Sequence, residues 1–225
     1  MKARIQGLTV MAVVAILALV CAPQANATVQ ITLTNGASTV TVTDGGAGDT
    51  CAAVNCVTFS GALGNYLINV STGIAQNGVN PFLDLNSINL TTQTNAGLLT
   101  IATSSNGYTA AAPQFNFQVG GTSSLGGSLT FTGYGGNSNT LFDTSHQIAT
   151  LSFPSSPFSG ITTGAGATVN PYSLTIVAQL NGVTQGSASF NAALDAVPEP
   201  ISVSLLGGVL LLTASALRRK LHRTI

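Results

Sequence analysis

From Thr28 to Val197 the apolar positions recur at every second residue rather than every third or fourth. In TVQITLT, Val29, Ile31 and Leu33 share one face, and in STVTVT, Val40 and Val42 share another. Asn35-Gly36 stands between these two runs, the signature of a β-hairpin. The same alternation returns in FNFQV with Phe115, Phe117 and Val119, in SLTFT with Leu129 and Phe131, and in SLTIVAQ with Leu174, Ile176 and Ala178. Asn77-Gly78, Asn106-Gly107 and Asn181-Gly182 supply further turn candidates. No stretch between 28 and 197 shows a helical period, and this segment has no Lys, Arg, Glu or Met. Many short strands with Gly- and Asn-rich turns predict an all-β fold, an antiparallel β-sandwich or jelly roll spanning 28–190. Phe153 to Pro171 carries Pro154, Pro157, Gly160, Gly164, Gly166 and Pro171, and is expected to be a surface flap or to hide a short strand. Residues 191–196 are expected to be a linker.

The two ends follow a different pattern. Lys2 and Arg4 precede an apolar run from Gly7 to Val20, and Ala25-Asn26-Ala27 supplies the small-x-small site that signal peptidase accepts. Residues 1–27 are therefore expected to be a signal peptide cleaved after Ala27. Cys21 lacks the small residue before it that lipidation needs, because Val20 occupies that position. At the other end, Ile201 to Leu217 holds 17 uncharged residues. As a helix they rise about 26 Å, the lower limit of a membrane span. Arg218, Arg219 and Lys220 follow at once and hold that end on the cytoplasmic side.

Charge sharpens the division. All six Lys and Arg residues lie at the ends, while 28–197 carries five aspartates, for a net charge of −5. Such a domain does not neutralise phosphates, which excludes nucleic-acid binding. After export Cys51 and Cys56 are the remaining cysteines, and an oxidising compartment favours a disulfide closing a small loop.

Candidate chemistry is sparse. DGGAGD places Asp44 and Asp49 in a glycine-rich turn, and carboxylate oxygens suit Ca²⁺. The motif occurs once, however, and its spacing departs from the stacked calcium-binding repeat, so a plain turn and no metal site is the adopted reading. Asp143-Thr144-Ser145-His146 gathers an acid, a hydroxyl and an imidazole, which raises a secreted hydrolase built on His146 as a third reading. The chain has no Gly-x-Ser-x-Gly elbow, and a non-enzymatic protein without a cofactor is preferred. A carbohydrate-binding module is the alternative function, with Tyr66, Tyr108, Tyr134 and Tyr172 as its possible ring platforms in a chain without Trp. Tyr134, in GYGGNSN, is expected on an exposed loop.

The carboxyl end carries a resemblance. Val197, Pro198, Glu199 and Pro200, then Ser202, the apolar run containing Leu205-Leu206-Gly207-Gly208, and finally Arg218-Arg219-Lys220 resemble the sorting signal of PEP-CTERM proteins, over residues 197–225. Leu221 to Ile225 extend past the basic cluster, a small departure. The resemblance implies a substrate of exosortase, a membrane peptidase or transpeptidase of Gram-negative bacteria that often make extracellular polysaccharide. Its implied partners are signal peptidase and exosortase, with exopolysaccharide as a further candidate. Its implied route runs through the inner membrane, held by helix 201–217 until processing, to the cell surface or extracellular matrix.

Overall fold

A computed structural model describes residues 28–197 apart from 79, 94, 155, 167 and 168. Residues 1–27, expected to be a signal peptide, and residues 198–225, with the expected transmembrane helix, lie outside the described residues. The described residues form twelve strands: β1 Val29–Thr34, β2 Thr39–Thr43, β3 Cys56–Leu63, β4 Tyr66–Gln76, β5 Phe82–Thr92, β6 Gly97–Tyr108, β7 Gln114–Ser123, β8 Gly126–Gly136, β9 Gln147–Phe153, β10 Phe158–Ala165, β11 Tyr172–Gly182 and β12 Gly186–Ala196. They build two six-stranded sheets, β2-β1-β6-β11-β8-β9 and β10-β7-β12-β5-β4-β3, antiparallel at every pairing. The expected antiparallel sandwich is present, and the period-2 pattern explains it. Each strand turns its apolar face inward, and the two inner faces close on one core.

That core holds Val29, Ile31 and Leu33 of β1, Leu83, Leu85 and Ile88 of β5, Phe115 and Phe117 of β7, Phe131 of β8, Leu174 and Ile176 of β11, and Leu194 of β12, all fully buried. Phe131 meets Phe190 edge-on at 5.0 Å between ring centroids, and Phe153 stacks on Phe158 at 4.9 Å. The second pair ties β9 of one sheet to β10 of the other.

The β1–β2 hairpin forms where Asn35-Gly36 predicts it, through a longer turn than two residues. Asn35 N–H donates to the Ser38 carbonyl at 3.1 Å, and the Asn35 side-chain carbonyl accepts from Ser38 N–H at 2.9 Å. Gly36 takes φ of 87°, which its missing Cβ allows. Asn106-Gly107, by contrast, lies inside β6 and makes no turn.

One expectation is corrected. Residues 191–196 are not a linker: they form the second half of β12, paired on one side with β5 and on the other with β7. Their short apolar side chains, Ala192 and Leu194, alternate with outward Asn191, Ala193 and Asp195. Of the two readings of residues 153–171, the hidden strand is the one present: Phe158–Ala165 is the edge strand β10. Its glycines serve close approach instead of turning, since a Cβ on Gly164 would lie 1.9 Å from the Ile148 carbonyl oxygen of β9.

Candidate functional site

The two outer faces of the sandwich differ. On the first sheet, residues 137–146 fold back over β6 and β11. Phe142 N–H donates to Ser104 Oγ at 2.8 Å, and Gly107 N–H donates to Asn139 Oδ1 at 2.7 Å. Ser104 and Thr175, which alternation would leave outward, are thereby buried and bonded to each other at 2.9 Å. The second sheet keeps a groove open on its outer face, with a volume of about 830 Å³. Strands β5, β12, β7 and β10 lay Asp84, Asn86, Asn191, Gln118, Ser159 and Ile161 along it.

These residues reach the groove through strand alternation. In β5, Leu83 and Leu85 point into the core, so Asp84 and Asn86 point out. In β12, Ala192 and Leu194 go in, and Asn191, Ala193 and Asp195 go out. Register then gathers them: Ala193 lies opposite Asp84 on one side and Gln118 on the other, and Ile161 lies opposite Gln118. Asn86 Nδ2 donates to Asp84 Oδ2 at 2.9 Å, and Gln118 Nε2 donates to Asp195 Oδ2 at 3.4 Å. Ile161 is 64% exposed, a branched apolar side chain beside polar neighbours. Phe82 lies on the same face, across from Asp195 by register.

Burial holds the Asp84 carboxyl above the ordinary carboxylate range; the Asn86 bond works against this, and the Asp195 charge adds to it. Burial also raises Asp195. The result is a row of amides and carboxyls in a partly desolvated trough. Amides both donate and accept, carboxylates accept, and each therefore meets one side of a hydroxyl group.

The sequence-predicted positions lie elsewhere. Cys51 and Cys56 form the expected disulfide, with 5.9 Å between Cα atoms. It closes the loop that Asp44 and Asp49 brace. Asp49 accepts from Gly45, Cys51 and Thr58 N–H, each at 2.9 Å, and Asp44 accepts from Asn55 N–H at 2.8 Å. Burial pushes the Asp49 carboxyl up, but the N–H groups of Thr58, Cys51 and Gly45 together outweigh it and leave it below its ordinary value. Both carboxylates thus act as acceptors for a turn of backbone donors.

The acid and imidazole of Asp143-Thr144-Ser145-His146 do not meet. Asp143 accepts from the Ser138 hydroxyl and N–H and from Ser145 N–H, while His146 Nε2 lies 3.1 Å from the Ala165 carbonyl oxygen across the sandwich. Neither side chain is placed to activate a nucleophile in the order acid, imidazole, hydroxyl.

The tyrosines also have other work. Tyr66, Tyr108 and Tyr172 are fully buried, and Tyr108 stacks on Tyr172 at 5.4 Å. Their hydroxyls donate to the carbonyls of Gly97, Phe82 and Ala110, which lets the rings sit in the core with no unmet donor. Tyr134 is half-buried on β8 of the first sheet, not on a loop. None of the four lines the groove.

No protein-family model and no curated protein matches the chain. Solved structures do. The CBM36-1 domain of a multidomain xylanase from the hindgut metagenome of Trinervitermes trinervoides is similar at 13% identity and a TM-score of 0.28, over 59% of this chain and 80% of that one. A carbohydrate-binding module, CBM6cm-2 from Cellvibrio mixtus lichenase 5A in complex with cellotriose, is similar at 8% identity and a TM-score of 0.28, over 57% of this chain and 88% of that one. A third, a carbohydrate-binding module of the β-sandwich superfamily, reaches 14% identity and a TM-score of 0.32, over 71% and 65%. At such scores these likenesses assign no function.

The groove residues are not legible in the sequence for two reasons. Asn191 and Asp195 fell in the segment expected to be a linker. The tyrosines, the rings that carry a polar group, lie elsewhere, whereas Phe82 is an aromatic side chain on this face. The available signal was the pair of outward triplets Phe82-Asp84-Asn86 and Asn191-Ala193-Asp195, each alternating with buried residues.

Proposed function

We propose that this is an exported, non-enzymatic protein whose sandwich holds a polysaccharide of uncharged sugars against the outer face of its second sheet. The observation that carries this reading is the groove itself, with Asp84, Asn86, Gln118, Asn191 and Ser159 converging in one open trough of about 830 Å³ beside Ile161. A sugar ring presents hydroxyls at its edge and C–H groups on its faces, and the trough offers amides and carboxylates for the first and an exposed branched side chain for the second. The domain has no Lys or Arg and a net charge of −5, which disfavours uronic-acid or sulfated polymers. The test is affinity electrophoresis in gels containing neutral polysaccharides, with the double variant Gln118→Ala and Asn191→Ala. Expected is retardation of the wild type and a loss of affinity of roughly tenfold or more, at about 1–1.5 kcal/mol per hydrogen bond lost, without a change in melting temperature. Equal retardation of both proteins counts against the groove.

The route to the surface is part of the same proposal and rests on the tail. Val197, the residue before Pro198-Glu199-Pro200 in sequence, is held to the sandwich by its N–H, which donates to the Gln114 carbonyl at 2.9 Å. In this reading signal peptidase removes 1–27 and exosortase acts on the tail. Replacing Pro198, Glu199 and Pro200 with Ala is expected to leave full-length protein in the inner membrane. Unchanged processing, seen by mass spectrometry of each cell fraction, removes the sorting part of the proposal and leaves the groove untouched.

A further inference from the structure

Strand β2 stands at one edge of the first sheet. Asp44 N–H donates to the Val29 carbonyl at 2.9 Å at one end of the β1–β2 pair, and Asn35 N–H donates to the Ser38 carbonyl at 3.1 Å at the other. The register between is one-for-one, Gln30 with Thr43 through Thr34 with Thr39. Hydrogen-bonded and non-bonded pairs alternate in an antiparallel ladder. Val40 and Val42 therefore spend their N–H and C=O on β1, and Thr39, Thr41 and Thr43 turn theirs away from it. The Thr43 carbonyl accepts Gly46 N–H at 2.8 Å; the other outward groups of these three residues have no backbone partner among the described residues. The side chains are already satisfied on the outer face: Thr39 with Thr34 at 2.9 Å, Thr41 with Thr32 at 3.1 Å, and Thr43 with Gln30 at 2.7 Å.

The remaining sheet edges are blunted. β3 is interrupted by a bulge between Phe59 and Gly61. β9 and β10 close on each other, with Gly164 against the Ile148 carbonyl and His146 reaching Ala165. Edge strands are commonly guarded by Lys, Pro or an inward charge, and β2, Thr39-Val40-Thr41-Val42-Thr43, has none of these. It also reads the same in both directions.

From these observations we infer that β2 is a homodimer interface, in which two copies join their first sheets antiparallel about a two-fold axis at Thr41. A palindromic strand suits that symmetry, since an isologous contact places each residue against its mirror position. Thr41 meets its own copy, Thr39 meets Thr43, and Val40 meets Val42. The outward N–H and C=O groups of each strand then face those of the other, and the threonine ladder continues across the joint. Asp44 falls opposite Ser38, so no carboxylates are brought together. The partner is a second copy of this chain, and the contact lies on the sheet opposite the groove, leaving both grooves open.

Sedimentation velocity of the detergent-solubilised full chain over a concentration series tests this. The wild type is expected to show a reversible monomer–dimer equilibrium. Thr41→Lys, which sets two like charges face to face, is expected to weaken it about five- to tenfold. In parallel, Thr41→Cys is expected to form a disulfide-linked dimer in air well ahead of Thr150→Cys, an exposed control on β9, with the wild type reporting any background from Cys21. A wild type that stays monomeric at its highest soluble concentration overturns the inference. So does a Thr41→Lys protein that dimerises as well as wild type, or a Thr41→Cys protein that cross-links no faster than the control. Circular dichroism of each variant confirms that it is folded before its association is compared.

Discussion

Asp49 and Asp143 show what a carboxylate does in a domain without cations. Neither has a Lys or Arg to pair with among the described residues, and each organises a turn by accepting backbone or hydroxyl donors. For Asp143 the hydroxyl of Ser138 leads, followed by Ser145, and the carboxyl is held well below its ordinary value. A depressed folded value gives stability above the unfolded value of 3.8 that is lost as pH falls below it. Asp49→Ala leaves three N–H groups without an acceptor next to the Cys51–Cys56 loop, and is expected to cost about 1–2 kcal/mol. Urea denaturation checks this, and Asp49→Asn, which keeps one acceptor oxygen, is expected to lose less. Residues 44–48 form a turn, and the Asp44 and Asp49 oxygens accept from backbone N–H groups around it. What sequence does not display is that the oxygens face inward to the backbone, because this depends on how residues 50–58 return past them.

At the scale of elements, the period-2 stretches became strands wherever one face was apolar. β1, β2, β7, β8 and β11 were legible because Val, Ile, Leu and Phe alternate with Thr, Ser and Asn in them. β10 and the end of β12 were not, because their inward positions include Gly and Ala, which carry little hydrophobic signal. In β10 the small residue is itself the reason the strand can form there. Gly164→Ala drives a methyl into the Ile148 carbonyl, and both sides are backbone that cannot rotate away. The expected loss is about 2–3 kcal/mol, seen as a lower urea midpoint, with accelerated proteolysis near 155–165. Gly120→Ala, where the nearest atom to a new Cβ is the Phe158 carbonyl oxygen at 3.9 Å, is the matched control and is expected to be nearly neutral.

For the whole molecule, two sheets with unlike outer faces divide the work. One is covered by residues 137–146 and ends in an open strand; the other carries the groove. The groove also leaves a mark on stability. Burial and the Asp195 charge raise Asp84 above the unfolded value of 3.8, so the folded state binds more protons in the window between those two values. Stability therefore falls as pH rises through that window, opposite in sign to Asp143. Asp84→Asn is expected to raise the melting temperature at pH 7 and to flatten its decline across that window, measured by calorimetry from pH 3 to pH 8. A steeper decline in the variant would show that the Asp84 charge stabilises the fold.

The sequence by itself determined the class of fold, the disulfide pair and the cation-free middle. Each follows from local pattern: alternation, residue count or charge position. Tertiary structure alone decided which polar residues meet. Asp84, Gln118, Ile161 and Asn191 come from four different strands, and the pairing β10-β7-β12-β5 puts them side by side through long-range connections. It likewise sent Tyr66, Tyr108 and Tyr172 inside and left β2 at an edge. Alternation says which face of a strand a residue occupies; only strand order says whose neighbour it is.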